Sequence, residues 1–166
     1  MDVEIALNEV VPQAAALIPP AQRPVVTHQS GTTQIDALRA NYARAGVTAE
    51  LTPFIDDTAQ AFADADLIVC RAGASTVTEI AAVGAAAIFV PFPSAVDDHQ
   101  TGNANFLVAQ GAGWLIQQTA LTPEWLAGML QKMERTTLVQ HALQAKKMQK
   151  VHATDDVVAA CEELAT

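Results

Sequence analysis

At 166 residues, 51% hydrophobic but only 5% aromatic, the chain is long enough to bury one domain core. That core must be built from Ala, Val, Leu and Ile, the usual material of helices packed on a parallel sheet. The formal net charge of −9 argues against a nucleic-acid footprint and against direct adhesion to an anionic membrane, leaving a neutral partner or a phosphate met by local dipoles.

Two cysteines, Cys70 and Cys161, make no disulfide framework. No secretory signal opens the sequence and no apolar run reaches the length of a membrane span, so a cytoplasmic setting is expected.

In chain order, Leu7, Val10, Val11, Ala14, Ala15 and Leu17 recur at helical spacing. An amphipathic helix is therefore expected over 6–18, kinked or restarted at Pro12. Val3, Ile5 and Leu7 also alternate, which leaves a short strand there as an alternative. A strand over 25–29 follows, then a turn at Ser30-Gly31. Thr32 or Thr33 is expected to cap the next helix, which carries Ile35, Leu38 and Tyr42 on one face and stops at Gly46. A strand over 49–54 leads to a short helix over 58–63 capped by Asp56 or Asp57. The apolar run 67–70 reads as a buried strand, followed by small residues and a helix over 76–83 ended by Gly84. Another buried strand spans 86–90, and 91–96 reads as a loop. Asp97-Asp98 opens a helix that runs to about residue 110 and closes at Gly111. A last short strand over 113–117 precedes Thr122-Pro123-Glu124, a good helix start for the segment through Met133. Helices over 137–148 and 154–164 complete the pattern. Strands alternating with helices at this spacing imply right-handed βαβ units, a mostly parallel sheet, and a ligand at the C-terminal ends of the strands.

The unusual polar residues all fall just after strands. They are His28-Gln29-Ser30-Gly31, Phe54-Ile55-Asp56-Asp57, Arg71 through Glu79, and Asp97-Asp98-His99-Gln100 through Asn103. The passage from strand 67–70 through Ala72-Gly73-Ala74-Ser75-Thr76 into a helix gathers unbonded backbone N–H groups at the positive end of a helix dipole, a spot suited to a phosphate. Glu79, one turn on, is placed to accept hydrogen bonds from sugar hydroxyls. His99 and Asn103 share a helical face, where imidazole and amide groups suit a neutral polyhydroxylated ligand. Simpler explanations exist for each motif alone: solvent exposure for His28 and Gln29, helix capping for the aspartates, and an Arg71–Glu79 pair. Zinc-spaced ligands, a nucleophile elbow, a Walker A loop and a G-x-G-x-x-G loop are all missing, so neither a metal nor covalent catalysis is indicated.

Taken in order, Phe54-Ile55-Asp56-Asp57, Cys70-Arg71-Ala72-Gly73-Ala74-Ser75-Thr76-Val77-Thr78-Glu79-Ile80, Phe89-Val90-Pro91-Phe92-Pro93 and Asp98-His99-Gln100-Thr101-Gly102-Asn103-Ala104 resemble the C-terminal, donor-binding domain of the MurG family. These are bacterial transferases that move N-acetylglucosamine from UDP-GlcNAc onto undecaprenyl-diphospho-muramoylpentapeptide (lipid I to lipid II) in peptidoglycan synthesis. The resemblance implies an α/β fold over 1–166: a Rossmann-like parallel sheet with flanking helices, one half of a GT-B glycosyltransferase. It implies an inverting, metal-independent hexosyltransferase with no cofactor. It also assigns a UDP-GlcNAc site. Phe54 and Ile55 would meet the uracil, Ile55 through its amide and carbonyl. Gly73, Ala74, Ser75, Thr76, Val77 and Thr78 would face the diphosphate, with Arg71 supporting the turn or the leaving charge. Glu79 would hold the ribose, and Gln100 with His99 and Asn103 would read the GlcNAc ring. No catalytic base is assigned.

Two parts of the family pattern have no counterpart in residues 1–166. One is the N-terminal domain, with its acceptor site. The other is the first strand of this domain with its Gly-rich loop. That strand is central in the family order, so a gap in the sheet is expected unless 3–7 or a partner chain fills it. The expected partners are UDP-GlcNAc and the missing acceptor half, as a domain or a partner subunit, with membrane contact only indirect and at the inner face. The alternatives are a soluble donor subunit of a two-subunit transferase and a non-catalytic nucleotide-sugar-binding module or truncated copy.

Overall fold

The computed structural model describes residues 5–93 and 98–164. Val3, Ser94, Ala95, Val96 and Asp97 of the expected elements lie outside the described residues. The chain opens with helix α1, Ile5–Leu17. The strand alternative for this stretch is thus excluded at Ile5 through Leu7, which are helical.

Strand β1, Thr27–Gln29, leads to α2, Ile35–Ala45, and β2, Glu50–Thr52. Then come α3, Thr58–Asp64, β3, Ile68–Cys70, α4, Ala74–Val83, and β4, Ala87–Phe89. Helix α5, His99–Val108, and β5, Trp114–Leu115, precede α6, Pro123–Lys132, α7, Arg135–Lys147, and α8, Ala153–Leu164. Every expected element is present, the strands shorter than their apolar runs.

All strand pairings are parallel, but they form two sheets among the described residues: β1-β2 and β3-β4-β5. No pairing among the described residues joins the two sheets, in keeping with the gap expected from the family resemblance. Helix α1 spans it. Leu7, Ala14 and Ile18 pack with Ile88, Val90, Leu121 and Leu126 against the larger sheet. Ala15 packs with Leu38, Tyr42 and Val47 beside the smaller one. The two sheets are therefore joined through one helix rather than through a strand.

The restart that Pro12 offered as one outcome does not occur. A proline inside a helix lacks the N–H that would bond the carbonyl four residues back. Here that carbonyl, on Asn8, accepts a 2.9 Å hydrogen bond from Asn41 Nδ2 of α2, so the missing partner is replaced from a neighbouring helix. Helix α1 is continuous from Ile5 to Leu17, so it does not restart at Pro12, which is buried.

Strand β4 shows why the fold has two faces. Ala87, Ile88 and Phe89 are all fully buried, and alternate side chains point to opposite sides. Ala87 and Phe89 join Ile68, Val77, Ile80 and Leu107 in one cluster. Ile88 and Val90 join Leu7, Ala14 and Leu126 in the other. Helices cover both sides, as a parallel sheet requires. At the start of β5, Gly113 (φ 152°) lies so close to β4 that a Cβ would sit 2.7 Å from the Ala87 carbonyl oxygen.

Local caps follow the sequence in part. Thr122 Oγ1 accepts from Trp125 N at 3.1 Å, Asp57 accepts from Gln60 N at 2.9 Å, and Gly46 closes α2 in the left-handed region at φ 62°. Neither Thr32 nor Thr33 caps α2. The turn at Gly31 (φ 79°), in which Gln34 N bonds Gly31 O at 3.3 Å, delays the helix, and Gln34 holds the cap position, its side chain making no capping bond to the helix. Asp98 also differs from expectation: it makes no capping bond to the helix backbone, adopts φ 52°, and accepts instead from Thr101 Oγ1 at 2.7 Å.

Candidate functional site

Within each sheet the parallel strands end on the same edge, and the polar segments singled out in the sequence follow them. Helix α4 starts at Ala74, two residues earlier than its periodicity suggests, with Gly73 as N-cap in extended backbone. The first intrahelical bond is Val77 N to Gly73 O at 3.0 Å. The N–H groups of Ala74, Ser75 and Thr76 therefore have no helical carbonyl four residues back and point out of the helix end. That is an anion-binding arrangement, with the dipole adding to it.

Not all of the expected diphosphate residues contribute alike. Val77 is 3% exposed and packs in the core, and its N–H is already bonded. Thr78 Oγ1 donates back to Ala74 O at 2.8 Å, so its hydroxyl closes on its own helix. Ser75 is exposed and Thr76 half-buried at the helix end. Glu79 is exposed one turn on, and its carboxylate makes no hydrogen bond or ion pair among the described residues.

The remaining site residues are tied together by amide side chains, each clipping one post-strand segment to another. Gln29 Oε1, at the end of β1, accepts from Ile55 N at 2.9 Å. Gln100 Oε1, in the first turn of α5, accepts from Phe92 N at 2.9 Å. Asn103 Nδ2 donates to Ala72 O at 3.0 Å. Gln118 Oε1, after β5, accepts from Arg71 Nη2 at 2.7 Å. A backbone N–H or a guanidinium can only donate, and a carbonyl can only accept, so each amide has a fixed polarity. Gln29 and Gln100 are left presenting N–H donors and Asn103 a carbonyl oxygen.

This modifies two expectations. The Ile55 amide, expected to read a base, is engaged by Gln29. Arg71, for which pairing with Glu79 was one option, donates to Val90 O at 3.1 Å and Pro91 O at 3.5 Å, with its guanidinium 5.6 Å from the centre of the Phe92 ring. Phe54 is 61% exposed, its backbone fixed by Thr52 Oγ1, which donates to Phe54 O at 2.7 Å and accepts from Phe54 N at 3.3 Å. An exposed ring on a braced loop is a stacking surface for a planar ligand. His99 is exposed, on the same helix as Gln100 and Asn103.

His28 is not the solvent-facing strand end that its position allowed. Its Nδ1 lies 3.0 Å from the Tyr42 hydroxyl and its Nε2 3.0 Å from Asn8 Oδ1. The Asn8 oxygen only accepts, so Nε2 carries the proton and Nδ1 accepts from Tyr42. Burial lowers its pKa to about 4 and raises that of Tyr42. A neutral, doubly bonded histidine is a structural tie between α1, β1 and α2. Burial likewise pushes the Cys70 thiol up to about 12, so it offers no nucleophile. Among the described residues no group of three His, Cys, Asp or Glu side chains is placed to hold a metal ion.

Residues 4–159 match the glycosyltransferase family 28 C-terminal domain. The chain belongs to this family. It is 77% identical over 160 residues, 96% of this chain and 44% of the relative, to the UDP-N-acetylglucosamine–N-acetylmuramyl-(pentapeptide) pyrophosphoryl-undecaprenol N-acetylglucosamine transferase of Polaromonas naphthalenivorans. It is 74% identical over 159 residues to the protein of the same name from Albidiferax ferrireducens, covering 96% of this chain and 41% of that one. The crystal structure of Acinetobacter baumannii MurG matches with a TM-score of 0.88 at 43% identity, over 98% of this chain and 49% of that chain. The chain thus spans less than half the length of these relatives. Its fold is one half of a GT-B glycosyltransferase, as the resemblance implied.

For this family 28 domain the resemblance had grouped Phe54, Ile55, Arg71, Gly73 through Glu79, His99, Gln100 and Asn103 as one candidate site. It missed Gln29 and Thr52 as braces of the 54–55 loop, and Gln118 altogether. The available signal was positional: each lies at or just past the end of a strand, where side chains reach neighbouring loops.

Proposed function

We propose that this domain is the UDP-GlcNAc-binding half of an inverting transferase that moves N-acetylglucosamine onto undecaprenyl-diphospho-muramoylpentapeptide, lipid I to lipid II, in peptidoglycan synthesis. The observation that carries the reading is the 77% identity, over 96% of this chain, to a protein bearing that name. The helix end at Gly73–Thr76 supports it chemically. As UDP leaves, negative charge develops on the β-phosphate. Preorganised N–H groups with a helix dipole stabilise that charge without a metal. The Glu79 carboxylate accepts from the ribose hydroxyls, the Gln100 amide donates to an oxygen of the sugar ring, and Asn103 supplies an acceptor.

The uracil lies against Phe54 and the Ile55 carbonyl. The Ile55 N–H serves it when Gln29 turns aside. Residues 1–166 form one domain in this reading. The acceptor site comes from an N-terminal domain or from a partner subunit, which also provides the contact with the inner face of the membrane. No described helix is long and apolar enough to cross a membrane.

Isothermal titration of the chain with UDP, wild type against Glu79→Ala, tests the site. Loss of a charge-assisted hydrogen bond is worth about 1.5–3 kcal/mol, so affinity should fall tenfold or more. UDP binding that is undetectable, or indifferent to the substitution, removes the ribose assignment. Lipid I to lipid II conversion, assayed with and without an added N-terminal half, then separates a donor half from a module without turnover.

A further inference from the structure

We infer that Gln118 is a positioning residue for the diphosphate end of the site, acting through Arg71; this rests on the UDP-sugar reading above. Arg71 is the first residue after β3. It opens the three-residue turn, with Ala72 and Gly73, that delivers the α4 N-terminus. An arginine side chain is long and loses considerable rotamer entropy on being fixed, so its guanidinium stays beside the turn only when several partners converge on it.

Two of those partners come from one place, the carbonyls of Val90 and Pro91 at the end of β4. They hold Nη1. The Phe92 ring lies over the same group. Gln118 approaches from a different element, the short 3-10 turn Gln118–Ala120 after β5. It holds Nη2 at 2.7 Å, closer than either carbonyl holds Nη1. The turn carrying Gln118 is rigid in its own right, since Ala120 N and Leu121 N bond Gln117 O at 2.9 and 3.1 Å.

Its neighbour braces the other side of the site. Gln117 Nε2 donates to Thr101 Oγ1 at 3.0 Å, and Thr101 Oγ1 donates to Asp98. That Asp98 holds the left-handed backbone from which α5, with His99 and Gln100, departs. Two consecutive glutamines thus tie the end of β5 to both halves of the ligand site. Gln118 is on the phosphate side because its acceptor oxygen meets a cation at the mouth of the phosphate turn.

The consequence is selective. In this assignment Gln118 acts through its bond to Arg71 and not on the ligand directly, so removing it should act only where Arg71 acts. The titrants are UDP and uridine, against wild type, Gln118→Ala, Gln118→Met, Arg71→Ala and the Arg71→Ala/Gln118→Ala pair. The methionine keeps the volume and removes the acceptor, and so controls for packing. Both Gln118 variants are expected to weaken UDP binding about tenfold, the scale of one charge-assisted hydrogen bond, with uridine affinity unchanged. On the Arg71→Ala background, Gln118→Ala should cost nothing more.

Equal losses for UDP and uridine, unchanged UDP affinity, or full additivity with Arg71→Ala would each overturn the assignment to Gln118 while leaving the UDP site standing. A wild-type chain that binds no UDP would overturn the functional reading and this inference with it.

Discussion

The coupling between Pro12 and Asn41 gives the most direct test of how the two sheets are held together. Asn41→Ala removes the donor to the Asn8 carbonyl, which Pro12 has already deprived of its helical partner. An under-satisfied, partly buried carbonyl costs about 1–3 kcal/mol. In the Pro12→Ala background the alanine N–H can bond Asn8 O, so the same Asn41→Ala change should cost only about 0.5 kcal/mol or less. The expected interaction term is about 1 kcal/mol or more, well above the scatter of independent sites. For a chain of this size 1 kcal/mol shifts the melting midpoint by about 2–4 °C. Urea unfolding of the four proteins, followed by far-UV circular dichroism, measures the cycle. Equal costs of Asn41→Ala in both backgrounds would refute the argument, because the asparagine would then not be replacing the proline's missing bond. The outcome bears on the architecture, since α1 packs against the clusters beside both sheets.

Two further outcomes follow from single residues. His28 has its folded pKa depressed to about 4, below its ordinary value of about 6.5, so its contribution is complete above the unfolded value and is lost as pH falls from there towards the folded one. Between pH 7.5 and 5 the loss should be about 2 kcal/mol; urea midpoints of His28→Gln should lack that component, and an identical pH profile in the variant would contradict the network. Gly113→Ala should destabilise by about 1–3 kcal/mol, because its Cβ would meet the Ala87 carbonyl oxygen at 2.7 Å. Gly128→Ala, in an open position of α6, should instead stabilise by about 0.5–1 kcal/mol; thermal melts giving both variants the same sign would refute the distinction.

Much of the candidate site was legible in the sequence, because its chemistry is local. A strand running into Ala72-Gly73-Ala74-Ser75-Thr76 and then a helical pattern is enough to place free N–H groups at a helix end. Glu79 one turn later needs only the helical repeat. The side chains that tie the post-strand segments together were not legible. Gln29 and Ile55 are 26 residues apart, and Arg71 and Gln118 are 47 apart. No local period links such pairs, and a lone glutamine past a strand has no sequence signature.

The residue order by itself determined the alternation of helices and strands, the parallel pairing, the caps at Asp57 and Thr122, and the phosphate-suited turn. All of these depend on periodicity and on contacts within a few residues. The tertiary structure decided what long-range partners supply. Pro12 sits in an unbroken helix because Asn41 reaches Asn8, and His28 is neutral because Asn8 and Tyr42 enclose it. The Thr78 hydroxyl is taken up by its own helix because it closes on Ala74 O. Buried polar groups must find partners wherever the fold brings them, and those partners are set by packing, not by position along the chain.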